Sequence, residues 1–297
     1  MTVLVSGGSG LVGRYIVNGL LAAGYKVRVG GRTSPPADWF SAPVDFVPLS
    51  LDPDLEQSES FDGVTAFVHA AFDHLPGRYR GGEGDDAARF RRLNLDGTLR
   101  LFQTARSTGV RRCVFLSSRA VYDGLRQGAP LAETSVLSPT SLYGQVKLEA
   151  EMALARLAGP DFATASLRLT GVYGDLRPTK WDELFADYLS GKVILPRLGT
   201  EVHGRDVASA VQIMLESDAQ HVAGRSFNVS DLVVDVADIL APLKAKTSCR
   251  HPLPKPSDIT AVRAMPVDRL QHLGWRPGGK ALLNQALEKL VAAYGNG

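Results

Sequence analysis

Apolar residues fall into short runs separated by amphipathic stretches, and this alternation is regular up to about residue 174. The first run, Val3-Leu4-Val5, leads into the glycine cluster Ser6-Gly7-Gly8-Ser9-Gly10-Leu11-Val12-Gly13. An amphipathic stretch follows from Arg14 to Ala23. That pattern predicts a strand, a tight turn and a helix. Gly24 is a helix stop, and Lys26 to Val29 reads as a second strand. Val44–Leu49, Val64–Ala71, Arg112–Leu116 and Thr164–Leu169 read as further strands. The run Val64–Ala71 is continuously apolar, as a parallel strand covered on both faces should be. Helices are expected from about Asp86 to Ser107 and from Leu142 onward. On the first of these Ala87, Phe90, Leu93 or Asn94, Gly97 and Leu101 share one face. Asn94 therefore points towards the core, where an amide needs specific hydrogen bonds.

Beyond Gly174 the alternation weakens. One helix is expected to start near Trp181, another over Asp206–Ser217, a short strand over Ser226–Val229 and a final helix over Lys280–Tyr294. Pro242, Pro252, Pro254, Pro256 and Pro266 are expected to break the tail into short helices. The pattern predicts an α/β fold: a Rossmann-type doubly wound parallel sheet with a small, discontinuous C-terminal substrate lobe. The expected division is 1–174 plus 204–232 for the dinucleotide-binding domain, and 175–203 plus 233–297 for the lobe.

Candidate chemistry begins at the glycine cluster. Gly7, Gly10 and Gly13 have the spacing G-x-x-G-x-x-G between a strand and a helix. Glycine there permits positive φ and removes the Cβ that would block a ligand. The helix start offers unpaired N–H groups and a positive dipole end to a diphosphate. The third glycine lets helix and strand lie close. At the end of the second strand Gly31 stands where an acid would hold the adenosine ribose hydroxyls, and Arg32-Thr33-Ser34 follow. An arginine there suits a 2′-phosphate, which favours NADP, with NAD possible. Ser50 or Asp52 is expected near the adenine, and the small pair Ala70-Ala71 where a cofactor passes close to the backbone. His69 reads as a packed, hydrogen-bonded histidine. Phe72 to Asp86 is long and polar, a candidate lid. The fifth strand ends in Ser117-Ser118, at the edge where open α/β sheets bind ligands. Tyr143 and Lys147, at i and i+4, share one helix face.

Composition narrows the function classes. The chain has 297 residues, is 44% hydrophobic and carries a net charge of +2 with its cations dispersed. Nothing in that balance points to nucleic acid or membrane as the main partner. The two cysteines, Cys113 and Cys249, have no zinc-like spacing, so no metal site is expected and a reducing compartment fits. The chain shows neither an N-terminal leader pattern nor an apolar run of spanning length, and a cytoplasmic location is expected.

The motifs, in order, resemble an extended short-chain dehydrogenase/reductase of the NAD-dependent epimerase/dehydratase family. They are Ser6–Gly13, Val68-His69-Ala70-Ala71, Asn94-Leu95-Asp96-Gly97-Thr98, Phe115–Tyr122, Tyr143-Gly144-Gln145-Val146-Lys147, Leu167–Gly174, His203–Val207, Phe227-Asn228-Val229 and Leu273–Pro277. Together they span nearly the whole chain. The resemblance implies Tyr143 as catalytic acid/base, Lys147 as its activator, Ser118 as partner of the substrate oxygen and Asn94 as support. It implies cofactor contacts from Gly7, Ser9, Gly10, Leu11, Val12, Gly13, Arg32, Ala70, Ala71, Tyr143, Lys147, Leu169 and Val172. The implied reaction is hydride transfer between a nicotinamide and a carbinol or carbonyl carbon of a small molecule such as a sugar or sugar nucleotide. Departures from the family pattern refine this. Arg119-Ala120 replace the acidic pair of dehydratases, and Thr170 replaces a proline common after the sixth strand. The missing acid near Gly31 tilts the reading towards an exchangeable NADP(H) and a net oxidoreductase. The alternatives are a nucleotide-sugar epimerase with tightly bound NAD and a redox-inactive NADP-binding sensor, the latter disfavoured by the intact Ser118/Tyr143/Lys147 set. Arg177, Lys180 and Trp181 are candidates to meet a substrate anion or ring. The resemblance also implies a homodimer through helices near 86–107 and 142–157.

Overall fold

A computed structural model describes residues 1–75, 82–258 and 262–294. The strands are β1 (Thr2–Ser6), β2 (Lys26–Gly31), β3 (Asp45–Pro48), β4 (Ala66–His69), β5 (Arg112–Ser118), β6 (Ala163–Leu169), β7 (Gly171–Tyr173), β8 (Leu198–His203), β9 (Arg225–Val229) and β10 (Leu232–Asp235). The helices are α1 (Leu11–Ala22), α2 (Ala87–Arg91), α3 (Thr98–Ser107), α4 (Leu142–Leu157), α5 (Asp182–Leu189), α6 (Gly204–Glu216), α7 (Ala219–Val222), α8 (Val236–Thr247), α9 (Asp268–His272) and α10 (Gly279–Ala292).

Seven strands form one sheet in the order β3-β2-β1-β4-β5-β6-β9. Every neighbouring pair runs parallel. The expected doubly wound α/β sheet is therefore present, with all strands ending on one edge. Side chains alternate across it. Val3 and Val5 face a core shared with Ile16 and Val17 of α1 and Val207 and Val211 of α6. Leu4, Phe67 and Phe115 face a second core shared with Phe102 of α3 and Val146 and Ala150 of α4. Cys113 is buried in that second core as a small hydrophobe.

The helix expected over Asp86–Ser107 forms with one change. Between α2 and α3 the chain makes a π-helical turn, Arg92–Gly97. A Cβ on Gly97 would stand 1.8 Å from the Leu51 carbonyl oxygen, so this turn lies directly on the chain leaving β3.

Past β6 a second sheet appears, in the order β10-β8-β7, with β7 and β8 parallel and β10 antiparallel to β8. A third core lies beside it, built from Tyr173, Trp181, Phe185, Leu240 and Leu287 among others. Pro242 does not break the tail as expected. It lies inside α8, where Val236, Ile239, Leu240 and Leu243 are buried. Burial of that face outweighs the lost backbone donor. Among the described residues no helix is long and apolar enough to cross a membrane.

Candidate active site

A cleft of about 1140 Å³ runs along the carboxyl ends of the parallel strands. At its middle lies the glycine turn. Gly7 has φ +66°, and a Cβ there would stand 2.7 Å from Ala71 Cα. A Cβ on Gly13 would stand 2.1 Å from the Gly7 carbonyl oxygen. Gly10 is the N-cap of α1 and caps it with no side chain; its own N–H donates to Gly7 O at 3.0 Å. The first turn of α1 carries no acidic side chain. Amides and dipole end thus meet the cleft in a cradle of glycines, which fits a dinucleotide's diphosphate. Gly7, Ser9, Gly10, Leu11, Val12 and Gly13 all line it.

Gly31, Arg32, Ser50 and Asp52 line the end beyond β2 and β3. The Arg32 side chain is 84% exposed and lies 3.9 Å from the Asp73 carboxylate. Arg89 of α2 donates to the same carboxylate at 2.9 Å. Arg92 also lines the cleft and bonds Asp52 at 2.8 Å. Asp73 is fixed from behind: Asn94 Oδ1 accepts its N–H at 2.7 Å, and Asn94 Nδ2 donates to its carbonyl at 2.7 Å and to Phe90 O at 3.0 Å. Asn94 is buried as expected, with its amide satisfied, but it does not line the cleft. It fastens the chain leaving β4. The candidate lid lies partly outside the described residues, which omit 76–81.

Ala70 and Ala71 line the cleft next to the turn, their N–H groups donating to Ser6 Oγ at 3.2 and 3.3 Å. His69 is fully buried, with Nδ1 2.6 Å from Ser6 Oγ and Nε2 2.9 Å from Thr98 Oγ1. Burial, with the Lys147 charge second, holds its pKa down at about 3, so it packs as a neutral ring.

Ser118, Tyr143 and Lys147 converge on the far half of the cleft. Ser141 caps α4, accepting the Gly144 N–H at 3.1 Å, and this sets Tyr143 and Lys147 one turn apart at the helix start. Lys147 is buried and donates to Leu116 O at 2.8 Å. Its Nζ lies 4.4 Å from the Phe72 ring centroid, 4.7 Å from Phe115 and 5.9 Å from Tyr143. Burial lowers its pKa to about 7 against the opposing pull of Glu151. Tyr143 is half-buried, edge-on to Phe72 at 5.1 Å.

The two serines ending β5 differ. Ser117 Oγ donates to Glu151 Oε1, behind the cleft. Among the described residues Ser118 Oγ accepts a local bond from Ala120 N at 3.1 Å and no other. Glu151, one turn beyond Lys147, also takes Arg168 at 2.7 Å and Ser226 Oγ at 3.0 Å. Arg168 donates on to Tyr122 OH at 2.8 Å, and that hydroxyl donates to Asn228 Oδ1 at 2.8 Å. The i+8 spacing from Tyr143 was the signal that could have exposed Glu151 in the sequence; Phe72 gave none beyond following two alanines.

Leu169, Thr170, Gly171 and Val172 line the remaining wall with Arg119, Lys180, Arg197 and Thr200. Of the three candidates for a substrate anion or ring only Lys180 lines the cleft, and it pairs with Glu201 at 2.5 Å. Trp181 is buried, stacked on Tyr173 at 5.2 Å. Arg177 is held by Asp182 at 2.6 Å and Leu290 O at 2.8 Å.

Comparison with known proteins gives relatives in sequence and in fold. UDP-glucose 4-epimerase of Bacillus subtilis is 31% identical over 182 residues, 59% of this chain and 53% of that protein. The chain thus spans about half the length of the curated relatives it matches. In fold it resembles the crystal structure of UDP-glucose 4-epimerase from Thermotoga maritima with UDP-glucose, with TM-score 0.80, 23% identity and 99% and 98% of the two chains covered. It also resembles the Thermus thermophilus UDP-glucose 4-epimerase complex with NAD, with TM-score 0.75, 24% identity and 97% and 99% covered. The profile of the NAD dependent epimerase/dehydratase family matches residues 3–230. The chain belongs to that family.

Proposed function

We propose that the protein is an NADP(H)-preferring oxidoreductase acting on a carbinol or carbonyl carbon of a sugar, sugar nucleotide or related small molecule. The observation that carries this reading is the convergence of Ser118, Tyr143 and Lys147 in the cleft that the glycine turn also lines. A nicotinamide bound there would supply or take the hydride. The chain's own residues do the rest. The amides at the start of α1 bind the diphosphate. Ser118 Oγ orients the substrate oxygen. The Tyr143 hydroxyl gives that oxygen its proton in reduction, the Tyr143 phenolate takes it back in oxidation, and the Lys147 ammonium one turn away favours the phenolate. Arg32 answers a 2′-phosphate. Asn94 acts at one remove, by fixing Asp73.

Tyr143→Phe tests the reading. NADPH consumption with a carbonyl panel falls by about 10²–10⁴ while cofactor-induced thermal stabilisation persists. Unchanged turnover refutes the role of Tyr143; no stabilisation of the wild type by NADP or NAD refutes the class. A second reading, nucleotide-sugar epimerisation with tightly bound NAD, is favoured by the relatives' names. It predicts NAD retained through purification and sugar interconversion without net NADPH loss.

The same proposal includes a division at 1–174 plus 204–232 against 175–203 plus 233–297, which the separate core around Trp181 and Leu240 supports. It includes a cytoplasmic homodimer through the helices near 86–107 and 142–157. A monomer by light scattering would remove the dimer.

A further inference from the structure

We infer that Phe72 is a positioning residue that holds Lys147 as a cation, by laying its ring face over an ammonium that Phe115 also covers. This rests on the reading that Lys147 serves Tyr143. Among the described residues the ammonium has one hydrogen bond, to Leu116 O, although it carries three donors. Two ring centroids lie within 5 Å of it, at 4.4 and 4.7 Å. A ring face carries negative quadrupole charge and attracts a desolvated cation most strongly where water is excluded.

Among the other charged and titratable groups Glu151 also favours the ammonium. Glu151, on the same helix, is engaged by Arg168, Ser117 and Ser226. His69 of β4 is neutral and buried. Tyr143 lies at 5.9 Å by its ring. Asp73, His74, Arg89, Arg119 and Lys180 line the same cleft; Asp73 is engaged by Arg89, and Lys180 by Glu201. Burial alone drives the lysine towards its neutral form. Phe72 belongs to the chain leaving β4, whose next residue is fixed by Asn94, so its ring is held over the amine by the same anchor.

The test reads Lys147 directly. Folded full-length protein is treated with an acylating reagent across a pH series, and modification at Lys147 is followed by peptide mass spectrometry. Phe72→Leu keeps an apolar side chain and removes the ring; Phe72→Met does so with a different shape; Phe72→Tyr keeps the ring face. The Leu and Met variants should titrate Lys147 about one pH unit lower than wild type, and the Tyr variant as wild type. In NADPH-dependent reduction the alkaline limb of the rate should move down by the same amount. If Phe72→Leu fails to melt cooperatively, Phe72→Met makes the same comparison. An unchanged Lys147 midpoint in a folded variant without the ring overturns the inference. A shifted midpoint in a protein that turns over no carbonyl leaves the inference standing and removes the proposed function instead.

Discussion

Replacing Glu151 by leucine should cost more than any surface change, for reasons visible in its surroundings. Glu151 and Arg168 are 4% and 5% exposed, and the carboxylate accepts from both Nε and Nη2 of the arginine as well as from Ser117 and Ser226. Leucine leaves the guanidinium buried with, among the described residues, only the Tyr122 hydroxyl to receive it. Removing one partner of such a pair costs about 3–5 kcal/mol, because an uncompensated charge remains inside. Two hydroxyls also lose an acceptor, which adds about 1 kcal/mol each unless they turn to a new one. Against a total stability of about 5–15 kcal/mol this is a large fraction, and it should lower the melting temperature by about 10 °C. Urea unfolding followed by far-UV circular dichroism measures it. The double variant Glu151→Leu/Arg168→Met removes both charges and should recover most of the loss. A single variant within about 1 kcal/mol of wild type, or a double variant no better than the single, refutes the reasoning.

Three further outcomes are expected. Arg32→Ala should weaken NADP binding about 10–100-fold by fluorescence titration and leave NAD binding within about twofold, since only NADP carries the 2′-phosphate; equal losses would point to a role other than phosphate recognition. Gly13→Ala places a methyl 2.1 Å from Gly7 O, and should both lower stability by about 1–3 kcal/mol and abolish cofactor-induced stabilisation; a variant that melts and binds as wild type contradicts the packing. Burial holds His69 at about 3 and His203 at about 4, below the ordinary 6.5, so each takes a proton on unfolding that the folded state refuses. The part of the stability that these two histidines carry should therefore be complete above pH about 6.5 and decline towards pH 4 by at most about 2.7 kcal/mol per unit, two protons at 1.36 each; His203→Gln should shed about half that slope, and a His203→Gln profile no different from wild type between pH 6.5 and 4 would sink the account.

The parallel sheet was legible because its strands announce themselves locally as apolar runs, several of them ending in glycine or small residues, as Val3–Val5 before Ser6-Gly7 and Arg112–Leu116 before Ser117-Ser118 do. The turn at Gly7–Gly13 and the pair Tyr143/Lys147 were legible for the same reason, being set by spacing along one element. The small sheet was not. β7 has three residues, and β7, β8 and β10 are defined only by one another across long separations. Pro242 misled because propensity is local whereas the burial of Leu240 and Leu243 is not. Arg32 and Arg89 meet at Asp73 only once β2, β1 and β4 lie side by side, and Glu151 meets Arg168 only once α4 packs on β5 and β6. The sequence order of these residues carries no trace of such meetings.

What crowds Gly7 and Gly13 has a consequence for how this protein can change. The atoms that a larger residue would strike are the Ala71 Cα and the Gly7 carbonyl oxygen, main chain in both cases. A clash with a side chain can be relieved by shrinking the neighbour; a clash with main chain has no such partner. Random libraries and natural drift should therefore find no second-site rescue at these two positions, while the surrounding Leu11 and Val12 remain open to exchange.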